Sequence, residues 1–259
     1  MFNSIGRAIA SLAGRSILEE FEDVADRIQR ALLNLDVPAA PGIEIGYCAA
    51  PARIVGGDYV DVIARPGQTP IYAIGDVSGK SLPAALRAMT VRYLIRGLVS
   101  VLDTDLSTIV TRANAVVCQD IEPDAFVTFA LAALSDDLRT LRFANAGHDP
   151  PLILRADSGA VDQCDPGGLV MGIDPNSRYF EQTAPVGKGD VIALYTDGFT
   201  EARDPAGEQF TLAHVKDGLV EFRALQAQAL ADALFARIEA YAAGTLNDDA
   251  SVLVIRVTE

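Results

Sequence analysis

The sequence is poor in the residue types that build disulfide frameworks and zinc sites. Its 259 residues include 3 cysteines and 2 histidines. Cys48, Cys118 and Cys164 are odd in number and widely spaced, and no two of them stand at the spacing of a zinc-ligand pair. We therefore predict ordinary buried thiols, with neither a disulfide framework nor a zinc site.

The chain also lacks the basic and apolar runs that nucleic-acid binding and membrane insertion require. Lys and Arg total 21 against 35 Asp and Glu, which gives a formal net charge of −14. Because no Lys/Arg cluster offers a footprint for phosphate backbones, we expect no nucleic-acid partner. No apolar stretch approaches the roughly 18 residues of a membrane span, and the N-terminus lacks the pattern of a signal peptide. We predict no membrane span and a cytoplasmic location.

The first 38 residues read as a helical segment that precedes one large domain, residues 39–259. Residues 1–13 carry apolar side chains at helical spacing, and Gly14 would end that helix. A second helix begins with a capping box and continues with an apolar stripe of Leu18, Phe21, Ala25, Ile28 and Leu32. This stripe either packs on its own domain or forms a seam with a second copy of the chain, and its length does not decide between them. We predict that residues 1–38 serve regulation or dimerisation.

After Pro41 the apolar period changes from helical to strand-like. Strands are predicted at residues 43–49, 58–64 and 71–77, and residues 65–68 form the hairpin turn between the last two. This hairpin places Asp58 and Asp76 near the same end of adjacent strands, because each lies at the end distal to the turn.

The rest of the chain alternates between paired helices and runs of strands. Helices are predicted at residues 81–102, 106–120 and 225–243. The buried side of the first is predicted to carry Leu82, Ala85, Leu86, Met89, Tyr93 and Leu98. Further strands are predicted at residues 126–134, 138–144, 151–154, 191–196 and 251–257. This order favours an α+β sandwich over alternating βαβ units.

Four aspartates in separate glycine-containing or acidic segments point to the chemistry. They are Asp58 in Val-Gly-Gly-Asp-Tyr, Asp76 in Gly-Asp-Val-Ser-Gly-Lys, Asp197 in Tyr-Thr-Asp-Gly and Asp248 in Asn-Asp-Asp. A single Asp beside a Gly is ordinary turn chemistry. A cluster of carboxylates, however, costs about 4 kcal/mol per pair at an effective dielectric of about 20, so it needs protons or cations. Mg²⁺ and Mn²⁺ fit such oxygen ligands best.

Six segments in order resemble the SpoIIE-like branch of the metal-dependent (PPM, type 2C-like) serine/threonine protein phosphatases. The matching residues are 51–61, 75–80 with 83–86, 126–128, 144–152, 194–202 and 248–251. The resemblance implies an α+β fold, a four-layer αββα sandwich of the metal-dependent protein phosphatase type with an N-terminal helical extension. It also implies a phosphatase that uses two metal ions and acts on phosphoserine or phosphothreonine in a protein.

By this resemblance, Asp76 bridges two Mn²⁺ or Mg²⁺ ions. Asp58 and the backbone carbonyl of Val77 would hold one ion, and Asp197 and Asp248 the other, with Asp76 and Asp197 central to catalysis. Such a pair of ions activates water and neutralises phosphoryl charge. The residues expected to support these ligands from behind are Asp249, Gly57, Gly198 and His148.

Three further residues have both a functional and a structural interpretation. His148 allows a general-acid role, but its Gly-His-Asp-Pro-Pro turn needs side-chain hydrogen bonds simply to close, which favours a structural role. Arg53 and Lys80 are candidates for binding the substrate phosphate, each weighed against a solvated surface charge. Ser78 stands where many type 2C enzymes carry histidine, so protonation of the leaving group would fall to water.

The resemblance further implies that the substrate is a phosphorylated regulatory protein of the anti-sigma factor antagonist type. Two alternatives remain open at this stage. One is a non-catalytic binding module that keeps the fold, against which all four carboxylates are present. The other is a metal-dependent hydrolase of small phosphate esters, which a comparison of phosphopeptide with small-molecule turnover would distinguish.

Overall fold

The computed structural model describes residues 24, 27–29, 32, 35–79, 82–122, 125–165 and 167–259. The strands, in chain order, are β1 (Ile43–Ala50), β2 (Asp58–Ile63), β3 (Ile71–Val77), β4 (Val127–Leu134), β5 (Thr140–Ala146), β6 (Leu152–Leu154), β7 (Val161–Gln163), β8 (Glu181–Pro185), β9 (Val191–Tyr195) and β10 (Ala250–Val257). The helices that follow Ile71–Val77 are α1 (Leu82–Val101), α2 (Leu106–Asp120), α3 (Asp197–Glu201), α4 (Thr211–Glu221) and α5 (Ala227–Tyr241).

The strands form two five-stranded sheets in which every named pair is antiparallel. One sheet has the order β1-β10-β9-β6-β7 and the other β2-β3-β4-β5-β8. The predicted hairpin of β2 and β3 is confirmed, with Asp58 opposite Asp76 in the register. One sheet thus carries Asp58 and Asp76 at one of its ends, away from the hairpin turn.

Three hydrophobic cores separate four layers of structure. The middle core lies between the sheets and includes Val60 and Val62 of β2 with Leu253 and Ile255 of β10. One outer core joins the β2-containing sheet to α1 and α2, and the other joins the β10-containing sheet to α4 and α5. Because successive strand residues point to opposite faces, β2 serves two cores at once. The predicted four-layer αββα sandwich is confirmed.

The buried side of helix α1 differs in part from our prediction. Ala84, Ala85 and Ala88 are fully buried, whereas Leu86 is 49% and Tyr93 64% exposed. Val91, Ile95 and Val99 continue the buried side toward the end of the helix. The predicted buried side of this helix was therefore wrong at Leu86 and Tyr93.

A buried ionic cluster ties α1 to β2. Asp61 is 0% exposed and accepts hydrogen bonds from Arg96 Nε at 2.6 Å and Nη2 at 2.7 Å. Tyr59 donates its hydroxyl to the same carboxylate at 3.1 Å, and Arg92 lies 3.5 Å from it. Such geometry compensates the desolvation of a buried carboxylate. The strand that begins with Asp58 is thereby locked against the helix layer.

The described residues of the N-terminal segment contact this domain. Leu32 is 0% exposed within the outer core of α1 and α2, and Ile28 packs against the same core. Arg92 Nη1 donates to the Leu32 carbonyl at 2.7 Å. These two positions of the stripe therefore pack on their own domain, whereas Leu18, Phe21, Ala25 and residues 1–13 lie outside the described residues.

The remaining predictions on composition concern cysteines and membrane spans. All three cysteines are unpaired and half-buried, and burial raises the pKa of the Cys48 and Cys164 thiols to about 11. They are ordinary thiols, as predicted, though less buried than expected. Within the residues that the structure describes, no helix has the length and apolarity needed to cross a membrane.

Candidate metal centre

The β2–β3 hairpin sets two carboxylates side by side. Asp58 is the first residue of β2, and Asp76 is the penultimate residue of β3. They are directly opposed in the register. Directly opposed residues of an antiparallel pair share one face of the sheet, with Cβ atoms about 4.5–5.5 Å apart. The hairpin therefore brings the two side chains together.

Asp58 is the most constrained carboxylate of the centre. It is 3% exposed, and its Oδ2 accepts hydrogen bonds from Ser251 Oγ at 2.6 Å and Thr196 Oγ1 at 2.8 Å. Its Oδ1 is buried without a hydrogen-bond partner. Burial first, and then the charges of Asp76 and Asp249, raise the pKa of Asp58 well above its usual range, while the two hydroxyls oppose this shift. A cation beside Oδ1 would satisfy both the charge and the orphaned oxygen.

The second sheet brings Asp197 and Asp248 to the same edge. Thr196 follows β9 and is paired with Ser251 of β10, its N–H donating to the Ser251 carbonyl at 3.0 Å. In return, Ser251 N–H donates to Thr196 Oγ1 at 2.9 Å. Asp197 comes directly after Thr196, and Asp248 stands three residues before Ser251. The hydroxyls that hold Asp58 thus also fix the neighbours of Asp197 and Asp248.

Asp249 organises the backbone around these ligands. It is 2% exposed, and its carboxylate accepts the N–H groups of Ala52 and Gly57, each at 2.7 Å. A side chain at Gly198 would collide with the Asp249 carbonyl, and one at Gly56 with its carboxylate. The chain passes so close at these glycines that only hydrogen fits. Asp249 therefore holds the backbone of the loop ahead of Asp58 in place.

Gly57 opens a cradle of oxygen atoms beside Asp76. A Cβ built on Gly57 would collide with the Val77 carbonyl oxygen and would lie 3.2 Å from Asp76 Oδ1. The Gly79 carbonyl oxygen would lie 3.3 Å away. These atoms are hard oxygen donors, the type that Mg²⁺ and Mn²⁺ select. The cradle fits such a cation and would be filled by any larger residue.

The donor set as a whole suits cations that keep much of their water. Asp76, Asp197 and Asp248 are half-buried, so solvent reaches this edge. Among the described residues, no three Asp, Glu, His or Cys side chains are already gathered as a metal-ligating group. Ions with several water ligands need only a few carboxylates each. The fit rests on the orphaned Asp58 oxygen and the cradle at Gly57.

His148 bridges the sheets from a buried position. It is 6% exposed, and its Nδ1 lies 2.9 Å from Thr128 Oγ1. The Asn145 side chain closes the turn, accepting from His148 N–H at 2.8 Å and donating to its carbonyl at 2.9 Å. Burial lowers the pKa of His148 to about 4, with the backbone of Tyr195 opposing the shift. A neutral, enclosed imidazole of this kind favours the structural interpretation of His148 over the general-acid one.

Three other predicted residues and two residues that were not predicted complete the description of this region. Arg53 is exposed on the loop between β1 and β2. Ser78 accepts the Phe126 N–H at 2.9 Å through its hydroxyl, and Lys80 lies outside the described residues. The hydroxyls of Thr196 and Ser251 were missed as partners of Asp58. Their place inside the 194–202 and 248–251 segments was the only indication in the sequence.

Comparisons with known proteins bear on the family and the fold of the chain. A family model described as Stage II sporulation protein E (SpoIIE) matches residues 66–258. The phosphoserine phosphatase RsbU of Bacillus subtilis (strain 168) is 30% identical over 198 residues, which cover 74% of this chain and 58% of RsbU. The chain therefore spans less than two thirds of the length of that relative.

Solved structures share the fold at lower identity. The PP2C domain of SiaA from Pseudomonas aeruginosa aligns with a TM-score of 0.78 and 21% identity, over 94% of this chain and 98% of that domain. The catalytic domain of the serine threonine protein phosphatase PstP, in complex with 2 manganese ions, aligns with a TM-score of 0.61 and 14% identity, over 84% and 100%. Since the family model covers most of the chain, the protein belongs to the SpoIIE family and has the PP2C-type phosphatase fold.

Proposed function

We propose that the protein is a metal-dependent serine/threonine phosphatase that hydrolyses a phosphoserine or phosphothreonine on a regulatory protein. The observation that carries the proposal is Asp58, a buried carboxylate with one orphaned oxygen, opposed to Asp76 at an edge where two sheets converge. A relative named a phosphoserine phosphatase supports the reaction type. The presence of all four carboxylates argues against a non-catalytic module.

The centre would hold two Mn²⁺ or Mg²⁺ ions. Asp76 would bridge them, Asp58 and the Val77 carbonyl would serve one, and Asp197 and Asp248 the other. The two manganese ions bound by PstP support this number. When bound, such ions lower the pKa of water and neutralise charge on the phosphoryl oxygens. The acidic edge alone would repel a phosphate ester, so the cations are also needed for substrate binding.

The protein's own residues hold this centre in place before substrate arrives. Thr196 and Ser251 fix one oxygen of Asp58, while the other is buried without a hydrogen-bond partner. Asp249 fixes the loop ahead of Asp58. His148 is neutral near neutral pH, because burial lowers its pKa to about 4, and the N–H that a neutral imidazole keeps is only a weak acid. Protonation of the leaving serine or threonine oxygen therefore falls to water.

The substrate is proposed to be a phosphorylated anti-sigma factor antagonist in a partner-switching pathway. The support is the membership of the SpoIIE family and the likeness to RsbU. A second part of the proposal concerns residues 1–38, which would dock a partner or associate with a second copy of the chain. Its support is the apolar stripe, whose two described residues, Ile28 and Leu32, pack on the domain.

The experiment is Mn²⁺-dependent phosphate release from a phosphoserine-containing antagonist protein. Asp76→Asn and Asp197→Asn should each lower turnover by more than about 100-fold, since loss of an outer partner of a metal ligand alone costs about 10- to 100-fold. Both variants should unfold at or above the wild-type midpoint without metal, because one carboxylate repulsion is relieved.

Asp217→Asn, on the exposed face of α4, is the matched control and should be fully active. Full activity in excess chelator, or wild-type turnover in both site variants, would contradict the proposal. Turnover of p-nitrophenyl phosphate well above that of the phosphoprotein would instead identify a hydrolase of small phosphate esters.

A further inference from the structure

The glycine pair ahead of Asp58 is held by three hydrogen bonds from three parts of the fold. Gly57 N–H donates to Asp249 Oδ2 at 2.7 Å, and the Gly57 carbonyl accepts from Val77 N–H at 3.3 Å. The third bond comes from outside the sandwich. Gly56 N–H donates to the side-chain oxygen of Gln29 at 2.8 Å. The loop is therefore fixed by both sheets and by the N-terminal segment.

Gln29 is itself held in a defined place. It is 7% exposed, although glutamine side chains mostly lie at the surface. On the same segment, Leu32 is 0% exposed and its carbonyl accepts from Arg92 at 2.7 Å. Ile28 packs against the same core as Leu32. With its neighbours anchored in this way, the Gln29 amide is aimed at Gly56 by packing.

The position of Gly56 matters because neighbouring atoms pack tightly around this loop. A side chain at Gly56 would collide with the Asp249 carboxylate, and one at Gly57 with the Val77 carbonyl. Gly56 is buried, so its N–H has no access to water when Gln29 is lost. An unpaired buried N–H is unfavourable, and the backbone shifts to satisfy it. Such a shift would move Gly57 and Asp58, the residues next along the chain.

We propose that Gln29 is a positioning residue of the metal centre, acting through the Gly56 N–H on Asp58 and the Val77 carbonyl. The proposal rests on the proposed function in one respect, that this edge binds Mn²⁺. By this proposal, a residue of the N-terminal segment raises the affinity of the centre for Mn²⁺. This effect is separate from any contribution of Gln29 to the stability of the fold.

The test measures Mn²⁺ binding to the full chain by electron paramagnetic resonance titration, without substrate. Gln29→Met keeps the length of the side chain and removes the acceptor. We expect Gln29→Met to weaken Mn²⁺ affinity by about 10- to 100-fold, the range for outer partners of metal ligands. Arg27→Met, which changes an exposed residue on the same segment, should not change this affinity.

Each outcome separates the inference from the proposed function. A wild-type chain that binds no Mn²⁺ contradicts the proposed function. A wild-type chain that binds Mn²⁺ no better than a folded Gln29→Met variant contradicts the inference alone. Should Gln29→Met fail to fold, Gln29→Asn, whose shorter side chain cannot reach Gly56 in the same way, decides the question by the same titration.

Discussion

Asp58 shows how single residues shape the candidate centre. Two hydroxyls hold one of its oxygens, while burial and the charges of Asp76 and Asp249 raise its pKa. The sequence motif named Asp58 as a ligand, because glycines and an acid at that spacing resemble a known pattern. It did not reveal the hydroxyl partners, since Thr196 and Ser251 lie far away along the chain and meet Asp58 only when the two sheets pack.

His148 gives the residue-level prediction. Its pKa is lowered from 6.5 to about 4 by burial, so the folded state binds a proton less readily than the unfolded state. Its contribution to stability is therefore fully present above pH 6.5 and is lost as pH falls toward about 4. We expect His148→Gln to be less stable than wild type at pH 7.5 and to show a flatter pH dependence of the urea midpoint between pH 4 and 6.5.

The same variant separates structure from catalysis. The pH profile of turnover should keep its shape in His148→Gln, because the neutral imidazole donates no proton to the reaction. The control is His214→Gln, which changes the second histidine of the chain; that residue lies on α4, whereas His148 does not. Loss of one limb of the turnover profile in His148→Gln alone would show that His148 is a general acid after all.

The elements that the sequence predicted best are those with strong local patterns. β3 and α2 have the predicted bounds, Ile71–Val77 and Leu106–Asp120. β7 and β8 were missed because they are short edge strands, three and five residues long, with partly exposed side chains and no alternation. Helix α4 was missed as well. Its Gly218, a weak helix former, is where Leu234 of α5 packs closely.

The N-cap of α2 carries the element-level prediction. Asp105 accepts from Thr108 N–H at 2.7 Å and from the Ser107 hydroxyl, and these bonds, that of Ser107 first, lower its pKa from 3.8 to about 2. The stabilisation is therefore present above pH 3.8 and is lost as pH falls through about 2. Asp105→Ala should cost about 0.5–2 kcal/mol at pH 7, toward the lower end because the carboxylate is partly exposed.

Urea unfolding at pH 7 and at pH 3 measures this effect. The difference in the free energy of unfolding between wild type and Asp105→Ala should become smaller at the lower pH. Asp103 is an exposed acid just before the cap, so Asp103→Ala should hardly change the free energy of unfolding at either pH. If the loss of stability in Asp105→Ala were the same at pH 7 and at pH 3, the charge of the carboxylate would play no part in the cap.

For the molecule as a whole, the order of motifs was enough to predict the four layers, but not how the N-terminal segment meets them. An apolar stripe can pack equally well on the surface of its own domain or on a second helix. Which of these it contacts depends on the shape of the folded surfaces, and the pattern of apolar residues does not reveal that shape. The structure settles this for Ile28 and Leu32, which pack on the domain. A role for the segment in association remains a proposal.

A shortened chain that begins at Asp36 tests the segment. We expect it to be less stable than the full chain, because Leu32 leaves a core where it is 0% exposed and loss of a buried leucine side chain costs about 2–5 kcal/mol. The proposed self-association predicts a faster-sedimenting full chain and a monomeric shortened chain. Full-length Leu32→Ala controls for stability alone, since it keeps the rest of the segment.

Equal sedimentation, equal phosphatase activity and equal response to candidate partners would leave the segment with a packing role only. A shortened chain that dimerises like the full chain would place the interface within residues 36–259.

The hydrogen bonds from Thr196 and Ser251 to Asp58 also decide how an inactive form should be made for capturing a phosphorylated partner. Asp58 joins the two sheets as well as serving the proposed centre, so its truncation to alanine would leave two buried hydroxyls without their acceptor. Because unpaired buried hydroxyls destabilise the fold, a bait protein with that change would also capture chaperones and other proteins that bind unfolded chains. Asp76 and Asp197, half-buried at the open edge, are the better positions for a trapping mutant whose surface is still that of the native protein.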